Sequence, residues 1–140
     1  MTLEDLGRRA VACKHWRFLP GTRIVGHNTM GRPMSLRLLN IPGSAWPEFW
    51  VAETRNANEV SFMKGVEEAG FLPDLSDPAT LGCLLHLVRE ATGEHSSASW
   101  YPGGKHDYPH WAWYSDDCYG KLCEGATEAE CLVKVLEAAP

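Results

Sequence analysis

Two segments of the chain carry a clear helical repeat of apolar residues, bounded by residues that begin and end helices. In the first segment, Asp77 is a typical N-cap, Pro78 suits the first helical position because its missing N–H costs nothing there, and Gly93 is a typical terminator. The apolar residues of this segment form one stripe at helical spacing: Leu81, Leu84, Leu85 and Val88.

The second segment is the C-terminal tail, where Thr127 and Glu130 have the spacing of a capping box. Its apolar residues also recur at helical spacing: Ala129, Leu132, Val133 and Leu136. A further helix is predicted from about Leu3 to His15, with Thr2 as N-cap and Asp5 as its capping-box partner.

Between the helices, short β-branched or aromatic runs separated by Gly and Pro predict strands. The predicted strands are residues 23–25, 35–41, 49–51, 98–101, 110–114 and 119–123, with turns at 31–33, 42–43 and 103–104. Residues 60–69 have partial helical spacing, which indicates either a short helix or an ordered excursion of the chain there. The predicted order is α-β-β-β-(α)-α-β-β-α, typical of an α+β fold in which small antiparallel sheets pack with three to four helices.

Composition agrees with one globular domain over residues 1–140, with 44% apolar and 22% charged residues. No apolar run approaches the ~20 residues that span a bilayer, and the acidic start Glu4-Asp5 is unlike a secretory signal. We therefore expect no membrane association and a cytoplasmic location. The five cysteines are an odd number and do not suggest a disulfide framework.

Charge is distributed unevenly around the formal net value of −5. Residues 1–40 hold seven Lys or Arg and two acidic residues, whereas the rest of the chain holds six Lys or Arg and sixteen acidic residues. Such asymmetry indicates either a bipolar surface that suits a charged partner or two ends that pair with each other in the fold.

The helix at 77–93, the aromatic strands after it and the ending Thr127-Glu128-Ala129-Glu130-Cys131-Leu132 resemble the phage ABA sandwich domain, so the resemblance covers the C-terminal half, residues 77–140. The opening Leu3-Glu4-Asp5-Leu6-Gly7-Arg8-Arg9 is also similar to the start of small phage and prophage proteins. The resemblance implies a phage or prophage setting and a host that is bacterial. It implies no activity, because the function of that domain is unassigned.

Aromatic residues are concentrated between the last two predicted helices. In a strand, Trp111 and Trp113 share one face, while Ala112 and Tyr114 share the other. Either helices cover both faces of this sheet or some rings are exposed, and exposed Trp and Tyr anchor protein interfaces. The predicted partner-binding residues are Trp100, Tyr101, Tyr108, Trp111, Trp113 and Tyr114.

A basic-aromatic segment over residues 8–23 offers an alternative, because cations interleaved with rings can bind phosphates and stack on bases. Its candidate nucleic-acid contacts are Arg8, Arg9, Lys14, Trp16, Arg17 and Arg23. The acidic isoelectric point, near 5.6, argues against a nucleic-acid-binding protein.

A zinc-binding module is a further alternative, because Cys and His are the usual zinc ligands. The candidate ligands are His106, His110, Cys118 and Cys123. Their order is reversed relative to common zinc motifs and Pro109 interrupts them, so we predict no metal and no cofactor.

Known nucleotide-binding and hydrolase motifs are absent from the sequence, including the P-loop, the dinucleotide glycine fingerprint, G-x-S-x-G and HExxH. Cys13 and His15 are two positions apart on a helix and cannot serve one another, and Cys83 near His86 is expected beside the core. We therefore expect a phage or prophage accessory protein that is not an enzyme. It would bind a host or phage protein, with inhibition of a host defence complex, an anti-CRISPR-like role, as one version.

Overall fold

The computed structural model describes residues 1–27, 30–39, 50–53, 60–63, 70–105, 107–114 and 121–140. In these ranges the chain forms three α-helices and eight β-strands. The helices are α1 (Leu3–Ala12), α2 (Pro78–Thr92) and α3 (Glu128–Ala138). The strands are β1 (Arg23–His27), β2 (Pro33–Leu39), β3 (Trp50–Glu53), β4 (Val60–Met63), β5 (Leu72–Pro73), β6 (Ser99–Tyr101), β7 (His110–Tyr114) and β8 (Lys121–Gly125).

The strands form two antiparallel sheets, which confirms the predicted α+β class. The first sheet has the order β4-β3-β2-β1-β5, and the second has the order β6-β7-β8. None of the helices in the described ranges has the length and apolar character needed to cross a membrane.

The predicted helix over residues 60–69 is wrong for Val60–Met63, which form β4 and pair with β3. Its helical spacing is only partial, and hydrogen bonding to a neighbouring strand outweighs such a weak local preference. Residues 64–69 lie outside the described part of the chain, as do the turn predicted at 42–43 and the start of the strand predicted at 49–51. The strand predicted at 119–123 is found at Lys121–Gly125, and the short strand β5 was not predicted.

Both ends of α2 follow the sequence signals, with Asp77 as N-cap, Pro78 in the first turn and Gly93 in the left-handed conformation at the C-cap. Thr2 and Asp5 form the predicted capping box of α1, which ends at Ala12 rather than His15 because Cys13 adopts an extended conformation. In α3, Thr127 accepts the N–H of Glu130 as predicted. The Glu130 carboxylate instead accepts the N–H of Ala126, one residue before the N-cap, so only half of a capping box forms.

Two apolar clusters make up the core. One lies on the first sheet and contains Phe18, Ile24, Leu36, Leu38 and Phe71. The other lies where the three helices meet the second sheet, and Trp16 contacts both clusters. The buried residues of this second cluster include all four predicted apolar residues of α3, together with Leu84, Leu87, Val88 and Trp113. In α2 the buried face differs from the predicted stripe: Leu87 is fully buried, whereas Leu81 and Leu85 are only partly buried.

A polar network attaches α2 to the first sheet. Arg37 of β2 donates to both carboxylate oxygens of Asp77, at 3.1 and 2.8 Å. Asp77 also accepts the N–H and the hydroxyl of Thr80, and the Thr80 oxygen accepts the N–H of Arg23 in β1. The hydrogen bonds from the Arg37 guanidinium are the main reason that the pKa of Asp77 falls from 3.8 to about 2; burial opposes this shift, and the hydrogen bonds from Thr80 add to it.

This network predicts a specific dependence of stability on pH. The unfolded chain binds a proton on Asp77 near pH 3.8 and the folded chain only near pH 2, so the carboxylate stabilises the fold above pH 3.8. About 2 kcal/mol of the free energy of unfolding is therefore expected to disappear as the pH falls from neutral through this interval. Urea denaturation across this range measures the loss.

The matched variants are Asp77→Asn and Asp107→Asn, since Asp107 is an exposed aspartate near the second sheet. Asp77→Asn should be less stable at neutral pH and should flatten the acid dependence, whereas Asp107→Asn should retain it. Equal acid dependence in the two variants would show that Asp77 does not carry this stabilisation.

Gly125 joins β8 to α3 where the backbones approach too closely for a side chain. A Cβ at this position would lie 2.6 Å from the Cys131 backbone nitrogen. We expect Gly125→Ala to lower the free energy of unfolding by about 1–3 kcal/mol because α3 must shift. Gly82→Ala is the control, since a Cβ in this exposed part of α2 meets nothing within 4 Å and should stabilise the helix by up to about 1 kcal/mol. Thermal or urea denaturation compares the stability of the two variants. An unchanged free energy of unfolding for Gly125→Ala would contradict the close approach of the backbones at this residue.

Candidate partner-binding site

Helix α3 packs against one face of the second sheet, and this decides which aromatic residues are buried. Trp111 and Trp113 share a face of β7, as predicted, and Trp113 pairs across the strands with Cys123 of β8. Trp113 is fully buried against α3. It therefore cannot contact a partner, and its assignment as a partner-binding residue is wrong, because the alternation of β7 directs it into the core.

The exposed rings lie at the β6 side of the sheet. Trp100 is 49% exposed, Tyr101 is 38% exposed and Tyr108 is 82% exposed. Trp111 and Tyr114 are half-buried beside them. We call these five residues the aromatic rim.

Each exposed ring of β6 is supported by a ring on β7. Trp100 lies directly across from Trp111, with ring centroids 5.8 Å apart. Tyr101 stacks on His110 at 5.6 Å and approaches Tyr114 to 5.5 Å on the opposite face. Because consecutive residues of a strand point to opposite faces, the aromatic rim wraps around the edge of the sheet rather than covering one face.

A tight turn between β6 and β7 positions Tyr108. Gly103 has φ +80, and a Cβ there would lie 2.6 Å from the carbonyl oxygen of Asp107. Gly104 and Asp107 exchange backbone hydrogen bonds of 3.2 and 3.3 Å across the turn. His110 Nδ1 lies 2.8 Å from the Tyr108 carbonyl oxygen, which holds this residue beside the end of β7.

The β8 side of the sheet is different, because α3 contacts its backbone. Lys134 donates to the Glu124 carbonyl at 2.9 Å, and the Cys131 thiol lies 3.9 Å from the Cys123 carbonyl. Leu122 is 52% exposed here, a feature that sequence reasoning missed. Lys121 and Cys123 pair with the adjacent residues Tyr114 and Trp113, so Leu122 is the extra residue of a β-bulge, which strand alternation does not reveal.

Arginines of the basic segment proposed to bind nucleic acid are paired with carboxylates. Arg9 makes a two-pronged ion pair with Glu137 at 2.8 and 2.6 Å, and Arg17 makes another with Glu90 at 3.0 and 2.6 Å. These pairs join basic residues of the N-terminal part to acidic residues of the C-terminal part. The uneven charge distribution therefore reflects, at least at these positions, two ends that neutralise each other.

The other members of that segment are divided among different surroundings. Arg8 pairs with Glu4 and Asp5 on its own helix, and Arg23 donates to Ser35 at 2.8 Å. Trp16 packs edge-to-face on Phe18 at 5.6 Å and belongs to the core, while Lys14 is exposed. The six candidate residues thus do not form one shared phosphate-binding surface, and Trp16 is not available to stack on a base.

The zinc alternative fails for the two candidate ligands that the structure describes. His110 and Cys123 lie on opposite faces of the second sheet, since Cys123 faces Trp113 and His110 faces Tyr101. They cannot share one metal ion. His106 and Cys118 lie outside the described residues, and within the described ranges no three His, Cys, Asp or Glu residues are arranged to hold a metal.

The thiols in the described core are poor nucleophiles. Burial raises the pKa of Cys13 and Cys123, and it raises the pKa of Cys131 to about 12. Cys13 donates to the Arg9 carbonyl, whereas the His15 ring nitrogen Nε2 lies 2.8 Å from the Pro140 carbonyl oxygen. The two side chains therefore have different hydrogen-bond partners. A protonated thiol at neutral pH gives no activated nucleophile.

Comparisons with known proteins yield no relative for this chain: no family model matches it, and neither a curated protein nor a solved structure is significantly similar to it.

The different environments of two tryptophans generate a direct prediction. Trp113→Ala should lower the free energy of unfolding by about 3–5 kcal/mol because it empties a fully buried site. Trp100→Ala should lower the free energy of unfolding by much less, about 1 kcal/mol, because half of its side chain is already in water and its main ring contact is with Trp111. Urea denaturation of both variants measures the difference, and similar losses would contradict the assigned burial.

Proposed function

We propose that this protein acts by binding another protein through the aromatic rim. The observation that supports this most directly is the half-exposed Trp100 seated on Trp111. A tryptophan held by a neighbouring ring loses little conformational entropy on binding and offers a large apolar surface, as interface anchors do. Tyr101 and Tyr108 add rings with a hydroxyl that can hydrogen-bond at the border of an interface.

Charge favours a protein over a nucleic acid as the partner. The chain has a formal net charge of −5, and ion pairs engage Arg8, Arg9 and Arg17. Phosphate binding depends on available cations, and each such pair removes one. A partner with a basic surface would be steered toward this chain.

The setting that we propose is a phage or prophage accessory protein in the cytoplasm of a bacterial host. The resemblance of the C-terminal half to the phage ABA sandwich supports this part of the proposal. Inhibition of a host defence complex is the version that fits an acidic protein, because an acidic surface can occupy a site meant for nucleic acid. No catalytic step is part of this proposal.

The proposal predicts that capture of a partner depends on the aromatic rim. A tagged pull-down from bacterial host lysate, with and without nuclease and read by mass spectrometry, identifies the partner. The double variant Trp100→Ala, Tyr108→Ala should then bind the purified partner about 10- to 100-fold more weakly, which corresponds to about 1.4–2.7 kcal/mol of binding free energy for the two rings together. Its unfolding should change little because both side chains are exposed.

Leu39→Ala is the matched control, because Leu39 is an exposed apolar residue on the first sheet, 36% exposed and away from the aromatic rim. It should bind as the unaltered protein does. Equal affinity of the double variant and the control would exclude the aromatic rim as the binding site. Recovery of nucleic acid alone, lost on nuclease treatment, would favour the alternative based on residues 8–23.

A further inference from the structure

A cleft of about 930 Å³ lies between the first turns of α1 and the first sheet, and no residue of the aromatic rim belongs to its lining. Its walls include Leu3, Glu4 and Arg8 of α1, and its floor includes Val25 of β1, Ser35 of β2 and Leu72 of β5. A volume of this size is in the range of sites for small molecules, about 300–1,000 Å³.

Strand register places three residues of this floor side by side. Val25 is paired with Leu72 on one side and Ser35 on the other, so the three side chains form a row on one face of the sheet. The neighbouring row on that face contains Arg23 and Arg37, where the polar network attaches the start of α2. The two rows lie side by side on one face of the sheet and both remain partly exposed, Val25 at 37% and the Arg23 side chain at 39%.

Exposed apolar side chains are part of the lining of the cleft. Leu3 is 47% exposed and Val25 is 37% exposed, so two aliphatic side chains from different elements present apolar surface to solvent at the same cleft. These exposed side chains favour a ligand with an aliphatic chain, because binding would remove apolar surface of both the ligand and the cleft from water.

The charged groups at the cleft favour a cation over an anion. Its lining includes the carboxylates of Glu4 and Asp74 and the guanidinium of Arg8. Arg8 is already paired with Glu4 and with Asp5 of the same helix, so these three side chains together carry one net negative charge. An anionic ligand would meet a guanidinium that two carboxylates already occupy, whereas an ammonium group can share the Glu4 carboxylate.

We propose that this cleft is a binding site for small amphipathic amines, which place an aliphatic chain over Val25 and Leu72 and an ammonium group near Glu4. The site is independent of the aromatic rim and of any protein partner.

Three probes with the same alkyl chain test the charge preference: octylamine, octanol and octanoate, each titrated into the full-length protein by calorimetry at pH 7. Octylamine should bind most tightly. Octanoate should bind at least about fivefold more weakly than octylamine, because one favourable ion contact is replaced by a repulsive one. Glu4→Gln should weaken octylamine about threefold and leave octanol unchanged. Octanoate binding as tightly as octylamine would overturn the proposed charge preference.

Two lysine variants test the location. Val25→Lys places a cation on the floor of the cleft and should weaken octylamine about tenfold or more. Leu39→Lys makes the same chemical change at an equally exposed aliphatic residue of the same sheet, outside the cleft lining, and should have no effect. Equal weakening by the two variants, or no detectable binding of octylamine to the unaltered protein, would overturn the proposal. Urea denaturation confirms that both variants are folded.

Discussion

The ion pair between Arg37 and Asp77 is the interaction on which the rest of the structure depends. It ties the first sheet to the N-terminus of α2, and Thr80 extends the connection to the backbone of Arg23. Asp77 is at once the helix cap and the partner of a partly buried guanidinium, so its loss would leave unsatisfied groups on both elements. Helix α2 in turn packs on α3, and α3 covers the second sheet. The position of the aromatic rim therefore follows from a contact at the other end of this chain of elements.

Coverage by α3 divides the aromatic residues into two kinds. Trp113 lies beneath the helix and contributes to stability, whereas Trp100 lies on the outermost strand and remains half in water. Both belong to the same aromatic-rich stretch of sequence, and each is flanked by another aromatic residue. Their roles differ because one strand faces α3 and the other reaches beyond it, which makes Trp100 suitable as an anchor and Trp113 unsuitable.

Ion pairing gives the uneven charge of the sequence a structural meaning. The N-terminal arginines Arg9 and Arg17 bind carboxylates of α3 and α2, which brings α1 and the chain after it against the C-terminal helices. Surface ion pairs of this kind contribute little individually, about 0–1 kcal/mol. For the proposed function their main consequence concerns recognition, because they pair cations that a phosphate backbone would need.

The sequence by itself determined the α+β class, the N-caps of the three helices and the apolar face of α3, because capping and helical periodicity depend on residues within a few positions of each other. It also indicated which stretch of chain holds the candidate site. Only the tertiary structure decided that Val60–Met63 form a strand, that Trp113 is buried while Trp100 is exposed, and that His110 and Cys123 face apart. Each of these depends on strand register or on which face a helix covers, and such contacts join residues whose separation along the chain carries no local signal.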